Sequence, residues 1–233
     1  ERVGYLFGTA CGAAAYHRLA RGRAVGGALP FLLTSVSALC LAGAAALRHA
    51  DAIHRALTRA LGTGLAGALA AAIALASTAF LLPTVTMGAT FAHLAEQARA
   101  QRLGLGGALC VNTVGAALAP PLFGVALLPL LGPQLALALC SLAYLPLIPL
   151  CGPRFFGPAL VPAGAALLLL SAGPLRLVTL DPGERVVAHV DGVMAAVTVV
   201  ADPGGDFHLK VNNRFQMGGT SSAFSDLRQG HLP

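Results

Sequence analysis

The sequence contains no tryptophan, only one lysine (Lys210), and charged side chains at just 10% of its 233 positions. An ordinary soluble domain carries about 25% charged residues, so a soluble single-domain enzyme is excluded at the outset. Aromatic residues make up only 6%, so any belt at a membrane interface rests on a few Phe and Tyr, and segment edges are weakly marked. The five cysteines, Cys11, Cys40, Cys110, Cys140 and Cys151, show no CxxC or Cys/His spacing. They read as small buried apolar residues, and no metal site is expected.

What the sequence does have is apolar length. Hydrophobic residues make up 56% of it, and runs of near-membrane length recur at 3–16, 28–47, 64–82, 104–130, 133–151 and 158–173. A helix rises 1.5 Å per residue, so about 20 residues cross a hydrocarbon core about 30 Å thick. The fold class predicted is mainly α: a polytopic membrane bundle of about six transmembrane helices over 1–173, followed by a small C-terminal antiparallel β-meander over 174–233.

Charge divides the same way. Residues 1–173 hold ten basic and three acidic side chains, whereas 174–233 hold five basic and six acidic. The basic residues flank apolar runs without interleaved aromatics, a pattern that fits a lipid bilayer and not nucleic acid. Counting Arg on the two sides of a six-span bundle gives a tie, so charge does not set orientation.

Finer features sit within this frame. Gly4, Gly8 and Gly12 recur every fourth residue on one helical face, where a neighbouring backbone can come close. Residues 51–61 put Ile53, Leu57, Ala60 and Leu61 opposite Arg55 and Arg59, which predicts an amphipathic interfacial helix. Pro83 interrupts the third run, and a kinked helix is expected to carry His93, Glu96 and Arg99 out of the bilayer as a solvated end. Pro120-Pro121 predicts a packed kink or an unwound stretch. Asn112, inside the fourth run, either contacts a transported solute or makes an interhelical hydrogen bond, the commoner use. Gly104-x-Gly106-Gly107 lies in an apolar run and is no nucleotide loop.

From Glu184 the period changes to two. Ala195 to Val200 and Phe207 to Val211 read as strands, Asp202 to Gly205 as a turn, Asn212-Asn213 as a tight primed turn, and Arg214 to Met217 as a further strand. About 50 residues of meander are marginal alone and expect a continuation or partner over their apolar face.

Three strings in this tail carry a resemblance: Ala195-Ala196-Val197-Thr198-Val199-Val200, Leu209-Lys210-Val211-Asn212-Asn213-Arg214-Phe215-Gln216, and Gln229-Gly230-His231-Leu232-Pro233. Together they resemble the N-terminal β-domain of the spermidine synthase (polyamine aminopropyltransferase) family. There a strand ending in V-N/D-G-x-x-Q precedes an H-x-P that leads into the nucleotide-binding domain. Leu82-Pro83-Thr84 with Met87 to Phe91, Asn112 to Ala116, and Leu128 to Gly132 look like helices of multi-pass proteins that fuse a transporter-like bundle to such a synthase.

The resemblance implies transfer of an aminopropyl group from decarboxylated S-adenosylmethionine, the co-substrate, to putrescine. It implies that Gln216 contacts the donor and that His231 lies at the substrate cleft. It also implies a cell-membrane, multi-pass protein with a cytoplasmic β-tail, and leaves room for a homo-oligomer. Asn213 stands where the family usually has Gly, and 218–226 lack the family's acidic-tyrosine stretch. The nucleotide-binding domain is expected beyond Pro233, so these residues alone are expected to hold no catalytic residue, bind no cofactor and not catalyse. The alternative is a transporter-like or polyamine-sensing membrane module without catalysis.

Overall fold

The computed structural model describes residues 2–20, 27–62, 64–101, 104–148, 156–172, 175, 178–213, 215–221 and 227–228. The chain divides into two compact units, Glu1–Leu118 with Gln134–Leu175, and Ala119–Pro133 with Arg176–Pro233.

The helices are α1 (Arg2–Ala20), α2 (Ala28–Arg48), α3 (Ala50–Leu61), α4 (Leu65–Ala100), α5 (Gly104–Pro120), α6 (Leu128–Leu142) and α7 (Phe156–Ser171). A π-helical stretch, Pro121–Leu127, joins α5 to α6. Three helical segments are long and apolar enough to cross a membrane, namely Ala28–Arg48, Leu65–Ala100 and Gly104–Leu147, with a shorter apolar helix at Ala159–Ser171. Of the bundle of about six spans expected, these three segments meet both criteria among the described residues, the last of them covering the fourth and fifth predicted runs. The fourth and fifth runs join end to end, broken by one non-helical residue, Gly132 (φ 74°, ψ 166°), just before Pro133.

α4 carries the third run and its polar continuation past Pro83. It is one helix of 36 residues, about 54 Å long, and continuous through the proline. Pro83 has no N–H to offer the Ala79 carbonyl. The hydroxyls that follow it tie the neighbouring turns: Thr84 Oγ1 donates to the carbonyls of Phe80 and Leu81 at 2.9 Å, and Thr86 Oγ1 to those of Leu82 and Pro83. α2 crosses at the vacated carbonyl. A Cβ on Gly43 would land on the Ala79 oxygen, so only glycine permits this approach.

The glycine stripe of α1 packs on the same helix. A side chain at Gly8 would meet Thr84, one at Gly12 would meet the Val85 carbonyl, and one at Gly88 of α4 would meet the Thr9 carbonyl. Gly4, predicted to share this role, has nothing within 4 Å of its Cβ position. Backbones this close replace hydrophobic driving force with dispersion, as membrane helix pairs require. Elsewhere, Leu41 and Ala44 of α2 pack with Ala166 and Leu169 of α7. Gln134 Nε2 donates to the Leu169 carbonyl at 2.8 Å, and the Arg48 guanidinium donates to the Ala172 carbonyl at the end of α7. In α3, Arg55 pairs with Asp51 at 2.9 Å; Ile53 and Leu57 are half-buried, but Ala60 and Leu61 are exposed.

The second unit carries a four-stranded antiparallel meander in sequential order: β1 (Arg185–Asp191), β2 (Ala196–Ala201), β3 (Phe207–Val211) and β4 (Phe215–Gly219). Asn212 and Asn213 both have positive φ, 51° and 57°, as a primed hairpin turn requires. The Asp202 carboxylate accepts the Asp206 N–H at 3.0 Å, and Gly205 (φ 90°) completes that turn. Val190, Val197, Phe207 and Leu209 remain exposed, so the sheet keeps an uncovered apolar surface.

Candidate functional site

The β3–β4 hairpin that carries Gln216 is fixed by its turn. Asn212 N–H bonds the Ala196 carbonyl at 2.9 Å, and its Oδ1 accepts from Ala196 N at 2.9 Å, so one asparagine closes the turn and joins it to β2. Asn213 reaches the other way. Its Oδ1 accepts the Thr179 N–H at 2.7 Å and its Nδ2 donates to Thr179 Oγ1 at 3.0 Å. A glycine would supply the φ but neither bond, which gives a physical reason for asparagine here. Gln216 lies on β4 in register with Lys210, which pairs with Thr198, which in turn pairs with His189. One row of the sheet therefore carries polar residues on all four strands. His231, the other predicted site residue, lies outside the described residues.

Lys210 organises the covered side of that sheet. Its Nζ donates to the Thr179 carbonyl at 2.9 Å and to Glu184 Oε2 at 2.7 Å. Glu184 Oε1 lies 3.0 Å from His208 Nε2, too far off axis for a hydrogen bond, and Oε2 accepts the Asp181 N–H at 2.8 Å. The Glu184 side chain is only 7% exposed. The Lys210 hydrogen bond holds its carboxyl below the ordinary value, helped by the Asp181 N–H and by the charges of Lys210 and His208, against the opposing effect of burial. A cavity of about 440 Å³ opens here, lined by Asp181, Glu184, Asp202, Asp206 and His208 among others. Asp206 Oδ1 accepts from Thr220 Oγ1 at 2.7 Å. Such a recess has the charge to receive a cation, and amines are the organic cations that carboxylates hold by charge-assisted hydrogen bonds.

The Glu184 geometry sets a pH dependence. A carboxylate whose folded pKa is depressed stabilises the fold fully above its unfolded value, about 4.5, and loses that contribution as pH falls through the folded value. Amide exchange in β3 is therefore expected to accelerate on acidification below this value. Glu184→Gln is expected to flatten that pH response; an unchanged response would remove Glu184 as its source.

On β1 and β2, His189 Nδ1 lies 2.8 Å from Thr198 Oγ1, and His189 Nε2 lies 3.2 Å from Asp191 Oδ1. The order carboxylate–imidazole–hydroxyl is that of a nucleophile relay. Thr198 is 1% exposed, however, so its hydroxyl has no room for a substrate and the chain of bonds ties β1 to β2.

The bundle holds a polar group that sequence reasoning placed wrongly. His93, expected at a solvated helix end, is 2% exposed. Its Nδ1 lies 2.8 Å from Tyr16 Oη of α1, and its Nε2 lies 3.0 Å from the Gln97 amide one turn on. Glu96 is exposed, as expected. The partner that buries His93 stands 77 positions away, and only the α1–α4 glycine crossing brings it in. Asn112 of α5 is exposed and has no hydrogen-bond partner among the described residues. The predicted interhelical bond is therefore not made within them.

No protein-family model, curated protein or solved structure matches this chain.

Proposed function

We propose that the chain is the membrane-embedded part of a spermidine synthase-like protein, which in its full length transfers an aminopropyl group to putrescine. In this reading the amine nitrogen of putrescine attacks the propyl carbon next to the donor's sulfonium. The N–C bond forms, the C–S bond breaks with its electrons going to sulfur, and the ammonium proton leaves to a base. Donor recognition belongs to a nucleotide-binding domain following His231-Leu232-Pro233.

The observation that carries the reading is the β3–β4 hairpin. A left-handed Asn212-Asn213 turn at the end of a strand, with Gln216 three residues on, is the arrangement the resemblance assigns to the donor-contacting glutamine. The carboxylates of Asp181, Asp202 and Asp206 support it from the amine side, because they give a dication counter-charges in place of the acidic-tyrosine stretch that 218–226 lack. The bundle crosses the membrane six times, with both chain ends cytoplasmic. The test is binding of radiolabelled putrescine and decarboxylated S-adenosylmethionine to the full-length protein in lipid nanodiscs. Saturable binding of both is expected; binding of neither would defeat the proposal.

A transporter-like or polyamine-sensing module is the second reading, favoured by the buried Tyr16–His93–Gln97 network, since ionisable groups inside a bundle mark solute or proton paths. It predicts putrescine uptake into vesicles that His93→Leu abolishes. Uptake without donor binding would favour this reading over the first.

A further inference from the structure

The connection between β1 and β2, residues 192–195, carries no polar side chain. Gly192, Val193, Met194 and Ala195 form it, closed by the Gly192 N–H on the Ala195 carbonyl at 3.0 Å. Turns that face water favour Asp, Asn, Ser, Gly and Pro, and the other two turns of the sheet follow that rule, with Asp202 to Asp206 and with Asn212-Asn213. Here Val193 is 54% exposed and Met194 92%. No polar side chain occurs from Gly192 to Val197, and Val190 beside the tip is exposed as well. An apolar tip of this kind needs a cover.

Its neighbours identify that cover. Gly132 of α6 comes so near the hairpin that a Cβ on it would stand 3.9 Å from Asp191 Oδ2. A recess of about 240 Å³ there is lined by Leu128 and Pro133 together with His189, Asp191 and Met194. All of these belong to the second unit, Ala119–Pro133 with Arg176–Pro233. From Ala119 to Pro133 there is not one polar side chain, and Leu130 is 80% exposed. Such a stretch belongs in lipid. Its end lies at the membrane face by length: Gly104 to Leu131 is helical throughout and about 40 Å long, enough to cross a core about 30 Å thick. The helical backbone then breaks at Gly132, just before Pro133. Lipid that covers Leu130 therefore reaches Val193 and Met194 too.

We infer that the β1–β2 hairpin sets its Val193–Met194 tip into the lipid interface, so that the sheet stands on the membrane by that end. The occupant is lipid because the tip continues the lipid-facing surface of α6 within one unit. The charges of the sheet agree. Meander topology puts Asp202 to Asp206 at the end opposite the β1–β2 turn, with Asp181 and Glu184 around the same cavity. The seven residues of β1 separate the two ends by about 23 Å. The carboxylates thus stand clear of an anionic membrane surface, whose potential falls off within a Debye length of about 8 Å. Asp191, next to the tip, is paired with His189 at 3.2 Å. The inference is independent of the aminopropyl reading and holds for a transporter-like module as well.

The test exploits the absence of tryptophan from the sequence. Met194→Trp and Pro203→Trp put a fluorescent reporter at opposite ends of the sheet, in the full-length protein in phosphatidylcholine nanodiscs, with emission read as the difference from wild type. The Met194→Trp signal is expected to shift to the blue and to lose most of its intensity when the acyl chains carry bromine near the headgroup. The Pro203→Trp signal should be that of an indole in water, quenched by acrylamide and not by brominated lipid. A second measurement needs no substitution: the Met194 methyl resonance should broaden with a lipid-borne spin label and be spared by an aqueous gadolinium chelate. A Met194→Trp signal quenched by acrylamide and untouched by bromine, with the methyl broadened from the water side, would overturn the proposal. Protection from both quenchers would overturn it equally, since protein and not lipid would then cover the tip. Bromine quenching of both reporters would mean that the sheet lies flat, which contradicts the upright placement.

Discussion

Gly12→Leu is expected to separate α1 from α4 and to lower the melting temperature of the detergent-solubilised protein by roughly 6–12 °C. The leucine has to enter space now filled by the Val85 carbonyl, and backbone, unlike a flexible side-chain end, cannot move aside without moving the helix. Overpacking costs about 1–3 kcal/mol where side chains can rearrange; here the upper end applies, at about 2–4 °C per kcal/mol for a unit of this size. The Tyr16–His93 bond lies one turn beyond Gly12 and should be lost with the crossing. Gly4→Leu is the control, since nothing lies within 4 Å of that position. Equal melting of Gly12→Leu, Gly4→Leu and wild type would show that the crossing contributes nothing to stability.

The second large effect concerns Gln216 and His231 in the full-length protein. Gln does not titrate, and His has an ordinary pKa of about 6.5, so positioning is the role assigned to both. Losing one such contact costs on the order of 1–3 kcal/mol, roughly 5- to 150-fold in affinity. Gln216→Ala is expected to weaken donor binding by that factor, and His231→Ala to weaken putrescine binding, with the β-meander intact by circular dichroism. If both variants bind as wild type does, the tail is a structural or regulatory β-domain. Asn213→Gly gives a companion check. It keeps the left-handed turn but removes both bonds to Thr179, so it should loosen the segment before β1 without changing the strand register.

The sheet was legible because its signals are local. Alternation over five or six residues defines a strand, two asparagines permit positive φ, and the hairpin register then puts Gln216 opposite Lys210. The amphipathic α3 was legible for the same reason, since its arginines and aliphatics separate at helical spacing. Pro83 marked a kinked helix through its own missing N–H, but how the turns around it are tied was not legible. What keeps α4 whole is the set of Thr84 and Thr86 hydroxyls and the glycine of another helix at the vacated carbonyl. His93 misled because its burial depends on Tyr16 of another helix. The glycine stripe was read correctly as a packing face but too long by one residue: Gly8 and Gly12 meet α4, and Gly4 does not. In the β-unit, the Lys210–Glu184–His208 cluster went unnoticed because its members are single charged residues at unremarkable spacing. The nearest clue was that Lys210 is the sequence's one lysine.

The central claim is chemical, and product formation tests it most directly. The full-length protein, reconstituted in liposomes with its tail outward, is given decarboxylated S-adenosylmethionine labelled in the aminopropyl group, together with putrescine, and the amines are separated and counted. The account predicts label in an amine one aminopropyl unit longer than putrescine, formed in step with release of the methylthio nucleoside and reduced by Gln216→Ala. Label remaining wholly in the donor, from protein that is folded and binds putrescine, would contradict it.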